Sequence, residues 1–266
     1  MLPLFRKIRL KLANENKFLK YSRYAIGEIA LVMIGILLAL QVNNWNESKK
    51  EKRIERMYLK NILSDLKDQN TSFDIQIESE LSYHDAASQI IKNYQENNRL
   101  VMDSTFFKNA TLMTSRKTFV INDPTYTDLI SSGNINMLKN VAYKNKLIKY
   151  YQELERIEKV IQNNNSLLVD QHYVSVFMKN GYYYQNSTTE EEKIIAELTD
   201  QTAFQTYKTA LSEISQKLML IDEHKLAFMN VIYFRQSLAI HQISIIKNIQ
   251  SVTESLILEI EQLNND

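Results

Sequence analysis

The chain has no cysteine, two prolines and four glycines in 266 residues, and each shortage excludes something. Without cysteine there is no disulfide, no thiolate metal site and no thiol nucleophile. Four glycines cannot build a phosphate-cradling loop or a G-x-S-x-G nucleophile elbow, and neither pattern occurs. Glycine and proline ordinarily make up about 7% and 5% of a protein, so turns here are scarce and helices long. The four histidines, His84, His172, His224 and His241, are scattered, and none is spaced i,i+4 from another or set beside a carboxylate pair; they give no metal site. The acidic groups Glu153, Glu155 and Glu158, and Glu190, Glu191 and Glu192, read as solvated helix faces. The residues supply no catalytic, cofactor-binding or metal-ligating set, so no cofactor is expected and the chain is not expected to be an enzyme.

Charge of either sign is nearly balanced, at +1 overall, but unevenly placed. Residues 1–23 hold seven Lys/Arg against Glu15 alone, a net of +6; the remaining 25 basic and 30 acidic residues give −5. A mildly acidic body argues against nucleic acid as a partner. The basic amphipathic leader, 1–23, reads instead as a segment lying near anionic lipid headgroups.

What is abundant is apolar surface in one place. From Ala25 to Val42, ten of 18 residues are Leu, Ile or Val, worth about −3 to −6 kcal/mol of insertion at −0.3 to −0.6 each. Glu28 costs about 2.5 to 3.5 kcal/mol at a span's centre and less near its end, so insertion wins. Tyr21 and Tyr24 precede the run, Trp45 follows it as an interfacial aromatic, and Gln41, Asn43, Asn44 and Asn46 close it. No small-x-small cleavage site follows. Residues 24–45 are therefore expected to form an uncleaved transmembrane helix in the lipid bilayer.

Glu28 has two readings. It is a carboxylate at headgroup level reaching back toward the leader, or it sits on a self-association face with the close-packing pair Gly35 and Ala39. Orientation is not decided by basic flanks, because each side carries five Lys/Arg within 15 residues. A short leader before a large body favours the body outside, which in a bacterial inner membrane means periplasmic.

The stretches "FRKIR" and "ENKFLKYSRYAIGEIALVMIGILLALQVNNWNE", with "TYTDLISSGNINMLKN" and "YYQELE" further on, resemble a family of uncharacterised single-pass membrane proteins from flavobacteria and related Bacteroidota. The resemblance implies location and architecture and no catalytic residues.

The fold class expected is all-α: one transmembrane helix continuing into a long-helix antiparallel bundle, residues 46–266, with a short irregular insertion at about 100–139. Ile54, Tyr58, Ile62, Leu66, Phe73, Ile77, Leu81 and Ile91, with Gln69, His84 and Ala87 or Ser88 filling the gaps, recur about every 3.7 residues. Only "DQNTSFD" offers a break. "DSTFFKNATLMTS" reads as a short helix and "KTFVIND" as extended. "NDPTYTDLISSG" has Asp123 at the N-cap, Pro124 at the first helical position and Gly133 after the last turn. A second long helix, about Asn140 to Lys179, turns Val141, Leu147, Ile148, Tyr151, Leu154, Ile161 and Leu168 inward. One of Asn163, Asn164 and Asn165 enters the core, and Gly181 supplies a left-handed cap. "TTEEEKIIAEL" restarts a helix. From Asp200 onward the chain folds back near "LIDEHK", and Ala239, Ile243, Ile246, Ile249, Leu256, Ile260 and Leu263 face inward.

Tyr182, Tyr183 and Tyr184 form an aromatic tip, either a partner surface or packing at the bundle end. Function is expected to be non-enzymatic: a scaffold or accessory subunit of an envelope complex, acting through a protein partner or self-association. The alternative is an extracytoplasmic sensory bundle that signals through a partner.

Overall fold

The computed structural model describes residues 18–184, 197 and 201–263. Most of the leader, and "TTEEEKIIAEL" apart from a helical Glu197, lie outside the described residues. Every regular element that is described is a helix: α1 Phe18–Asn97, α2 Ser104–Leu112, α3 Pro124–Ser131, a 3₁₀ turn Asn134–Met137, α4 Val141–Asn163, a π-helical stretch Asn164–Val174, α5 Ser175–Asn180, α6 Gln201–Leu218 and α7 Asp222–Leu263. The chain divides into two compact units, residues 1–58 and 59–266, and α1 contributes to both.

In the first unit α1 buries almost nothing. Ile26, Ile29, Leu31, Val32, Ile34, Leu37, Leu38, Leu40 and Val42 are all more than half exposed.

In the second unit α1 does not break at "DQNTSFD". Thr71 and Ser72 donate back to the carbonyls of Lys67 and Asp68, at 3.2 and 3.1 Å, so their hydroxyls stay inside the helix. The buried line runs Ile62, Leu66, Gln69, Phe73, Gln76, Glu80, Tyr83, Ala87, Ile90, 28 residues in eight steps of alternating four and three. That is a 3.5-residue seam, the heptad period, rather than 3.7. The sequence reading drifts because Gln76 and Glu80 occupy core positions: Ile77 is only half-buried and Leu81 is exposed, as an apolar pattern that skips polar residues would miss. Ile54 and His84 are likewise half-buried. Helix α1 ends at Asn97, and the next residue, Asn98, takes a left-handed φ of 51°, a conformation Asn tolerates better than most residues.

Helix α7 carries the matching seam, Phe228, Ile232, Arg235, Ala239, Gln242, Ile246, Ile249, Thr253, Leu256, Ile260. Again polar residues hold core places, so the expected Ile243 and Leu263 are half-buried. The two helices run antiparallel: Lys67 meets Glu261 at 2.9 Å, Asp74 meets Gln250 at 2.8 Å and Ser88 meets Gln236 at 2.8 Å. Helix α4 packs on α7, also antiparallel, with Lys146 on Glu259 at 2.8 Å and Thr253 donating to the Tyr150 hydroxyl at 2.9 Å. Between α6 and α7 the chain reverses over Met219–Ile221, at the start of the expected "LIDEHK".

Beyond α4 the inward line is Ile161, Asn165, Val169, Tyr173, Phe177, four steps of four residues. At 3.6 residues per turn each such step overshoots by about 40°, and four would rotate the line by about 160°. The wider π-turn, with i→i+5 bonding, keeps it on one side. Val169 consequently replaces the expected Leu168, which is half-buried. At the start of α4, Val141 is 60% exposed and Tyr143 points inward, its N–H capped by the Asn140 side chain at 3.0 Å.

Two caps differ from the sequence reading. Asp123 stands at the N-cap of α3 but makes no side-chain cap bond; its carboxylate takes the Thr127 hydroxyl, and the free Thr125 N–H donates to Asp65 of α1 at 3.0 Å. Gly133, which follows the last turn of α3 as expected, is left-handed, at φ 72°. Gly181 is not: it is extended, at φ −95°. Glycine is required there for space, because a Cβ would stand 2.5 Å from Phe177 Cε2.

The insertion is not an appendage. Met102, Phe106, Phe107, Ala110 and Met113 are buried in one cluster with Ile90, Tyr173, Phe177 and Phe228.

Candidate functional site

Three polar residues of the seams, Gln69, Gln76 and Arg235, converge on one segment, the strap from Met113 to Asn122, which has no helix or ladder of its own. Gln69 Nε2 donates to the Val120 carbonyl at 3.4 Å and its Oε1 accepts the Asn122 N–H at 2.6 Å. Gln76 Nε2 donates to the Lys117 carbonyl at 3.4 Å. From the other side, Asn165 Nδ2 donates to the same carbonyl at 3.1 Å. The spacing explains why glutamines one heptad apart serve this purpose. Seven residues of helix span about 10.5 Å, and three extended residues, Lys117 to Val120, span about 10 Å. The strap thus runs extended and antiparallel to α1, held by side-chain amides where a sheet would use a neighbouring strand. Phe119 anchors it, stacked on Phe73 at 6.0 Å between centroids.

At the head of the strap sits a buried ion pair. Arg235 and Glu80 are 1% and 0% exposed, and Nη1 lies 3.4 Å from Oε2. Arg235 also donates to the carbonyls of Met113 and Ser115, each at 3.4 Å, and its Cζ is 4.3 Å from the Tyr83 ring centroid. Burial raises the Glu80 pKa; the Arg235 charge and hydrogen bond, then Gln76, pull it back without cancelling the rise. Tyr83 is raised by burial and by the Glu80 charge. One carboxylate oxygen, Oε1, has no hydrogen-bond partner. Arg235 thereby ties α1, α7 and the strap together. Shallow grooves of about 450 and 540 Å³ flank the strap, sharing Arg116, Thr118 and Phe119; Arg116 is paired with Asp170 across 2.9 Å.

The sequence reading had no place for Gln76, Glu80, Arg235 or Gln242. A strict 3.5-residue register carried through polar positions would have found them. Of the three asparagines, Asn165 is the buried one, and its task is the Lys117 carbonyl.

Of the membrane-association candidates, Glu28, Gly35 and Ala39 share one face of α1, and Trp45 lies about 100° round from it. Gly35 has open space around it, Ala39 is exposed and Glu28 is half-buried. Trp45 is 61% exposed, with Lys49 Nζ 3.6 Å from its ring centroid, a contact worth about 0.5–1 kcal/mol at an exposed site. Of the three tyrosines, Tyr182 packs edge-on against Phe107 at 5.4 Å, Tyr184 is half-buried with its N–H on the Thr111 hydroxyl, and only Tyr183 is exposed, at 50%. The histidines do not converge: His84 contacts Asp85 and His224 contacts Asn180, while His172 and His241 are exposed.

A profile of a family of unknown function, DUF6090, matches residues 28–207. The chain belongs to DUF6090. No curated protein and no solved structure matches it. The DUF6090 match takes in Glu28, the strap and the tyrosine tip, whereas Arg235 lies outside the matched residues.

Proposed function

We propose that this DUF6090 chain is a single-pass membrane protein whose helical body acts by interaction, as a scaffold or accessory subunit of an envelope complex, without catalysis and without nucleic acid. The observation that supports it is the apolar band of α1. A core helix of a soluble protein buries such a band, and here none of the most apolar window is buried. Its side chains expose on the order of 1,000 Å², well beyond the few hundred that a soluble monomer leaves in one patch. Resemblance to proteins of flavobacteria and their relatives favours the bacterial inner membrane, with the body in the periplasm.

The absence of a role in chemistry draws on where the polar groups go. Gln69, Gln76, Asn165 and Arg235 are occupied with the strap. The sensory alternative draws on the grooves beside that strap, where Asn165 Oδ1 has no hydrogen-bond partner. Crosslinking in native membranes followed by affinity capture separates the two. A protein recovered in constant proportion, whose capture survives substitutions in the grooves, supports the scaffold. Capture of the chain alone, with a saturable small molecule bound, contradicts it.

A further inference from the structure

Immediately after the apolar band, α1 sorts its charges by face. At 100° per residue, Trp45, Lys49, Lys52, Arg53 and Arg56 fall within about 100° of arc, and Glu47, Glu51 and Glu55 fall together on the opposite side. All five residues of the basic face are exposed. The sorting is costly to the helix alone. Lys49–Lys52, Lys49–Arg53, Lys52–Arg56 and Arg53–Arg56 are like-charge neighbours at i,i+3 or i,i+4, and each such pair weakens an isolated helix, whereas alternating signs would strengthen it. Among the described residues none of the four cations forms an ion pair. No ion-pair partner among the described residues meets this face, which leaves it available to an anion from outside the chain.

We propose that the face Trp45, Lys49, Lys52, Arg53, Arg56 is a binding surface for anionic lipid headgroups, and this rests on reading the preceding segment as a membrane anchor. Side chains of a helix lean toward its N-terminus, so these cations reach back toward the apolar band. With Trp45 at the edge of the hydrocarbon, Lys49 stands about 6 Å further out, within a headgroup layer roughly 5–7 Å deep. Lys52 and Arg53 reach that layer with their side chains. Arg56 lies about 16 Å out and acts mainly through its field, which salt screens over about 10 Å. The Lys49 contact with the Trp45 ring holds a cation at the depth where lipid phosphates lie.

Trp45 is the only tryptophan, so its fluorescence reports on this site alone and not on the basic leader. The full chain is reconstituted in phosphatidylcholine vesicles carrying an equal low fraction of nitroxide-labelled phosphatidylcholine or nitroxide-labelled phosphatidylglycerol. The labelled anionic lipid should quench Trp45 as though enriched roughly fivefold, the equivalent of one cation fully at the surface. The excess should vanish in high salt and in Lys49→Gln/Lys52→Gln/Arg53→Gln/Arg56→Gln, and persist in Glu47→Gln/Glu51→Gln/Glu55→Gln. Equal quenching by the two lipids, or an excess that the quadruple variant retains, overturns the proposal and leaves an acidic protein surface as the complementary partner. Quenching by neither lipid overturns the anchor reading and this proposal with it.

Discussion

Replacing Arg235 with Met removes the cation paired with Glu80 and puts an unbranched apolar side chain in its place. The carboxylate is fully buried, and breaking a buried pair from one side costs about 3–5 kcal/mol because the remaining charge is uncompensated. Set against the 5–15 kcal/mol typical of a whole domain, that is about a fifth of the stability at the least. The loss should depend on pH. Burial already lifts the folded Glu80 pKa above its ordinary 4.5, and without the guanidinium it rises further. A carboxyl that holds its proton more tightly when folded destabilises the fold as pH rises through the folded pKa, and gives that stability back on acidification toward 4.5. The deficit relative to wild type is therefore largest at neutral pH and shrinks near pH 5. The double variant Glu80→Met/Arg235→Met should recover at least half of the loss, since apolar replacement of a buried pair is often neutral or better. Full recovery is not expected, because the Met113 carbonyl loses its donor, at about 1 kcal/mol or more. Urea unfolding of the full chain in detergent micelles, followed by circular dichroism from pH 5 to 8, measures all of this. A loss in Arg235→Met below about 1 kcal/mol and flat with pH, or a double variant no better than the single, would refute the reasoning.

Asp65→Ala should cost about 0.5–2 kcal/mol through loss of the α3 cap, and Asp123→Ala only a few tenths; thermal melts that reverse this order would return the cap to Asp123. Gly181→Ala should cost about 1–3 kcal/mol by overpacking, and in a double-mutant cycle that cost should couple to Phe177→Leu. Gly133→Ala should cost about 1–2 kcal/mol from its left-handed backbone and show no coupling to Phe177; the opposite pattern would contradict the geometry at both glycines. If the span self-associates through Gly35 and Ala39, Gly35→Leu should reduce crosslinked dimers in membranes several-fold, and Glu28→Gln should preserve them while removing any pH dependence; unchanged crosslinking in Gly35→Leu leaves Glu28 as a headgroup-level residue.

The long apolar run and the scarcity of Gly and Pro were readable because each is a local signal, whereas the turn at 219–221 was legible only because an unbroken helix from 200 to 263 is too long for a compact body. Tertiary choices were hidden wherever a polar residue held a core place. Glu80 and Arg235 look like surface residues until the strap is in position, and Gln69 and Gln76 acquire a purpose only when an extended segment more than 40 residues later lies alongside them. The π-helical stretch was invisible for a related reason: steps of four residues read as a drifting α-helix unless the backbone widens. Gly181 shows that residue type alone does not reveal its cause, since lack of space and a left-handed backbone both select glycine. Glu28, Gly35 and Ala39 were legible as a face, and the structure leaves open space at Gly35.

The most direct test of the account is whether the chain is held in a membrane by residues 24–45 with its N-terminus intact. Membranes from cells producing the full chain, tagged at its C-terminus, are washed with alkaline carbonate, and the retained protein is sequenced from its N-terminus. The account predicts that the protein stays with the membrane pellet and begins within the leader. Release into the wash, or recovery of a soluble form that begins after residue 40, would contradict it.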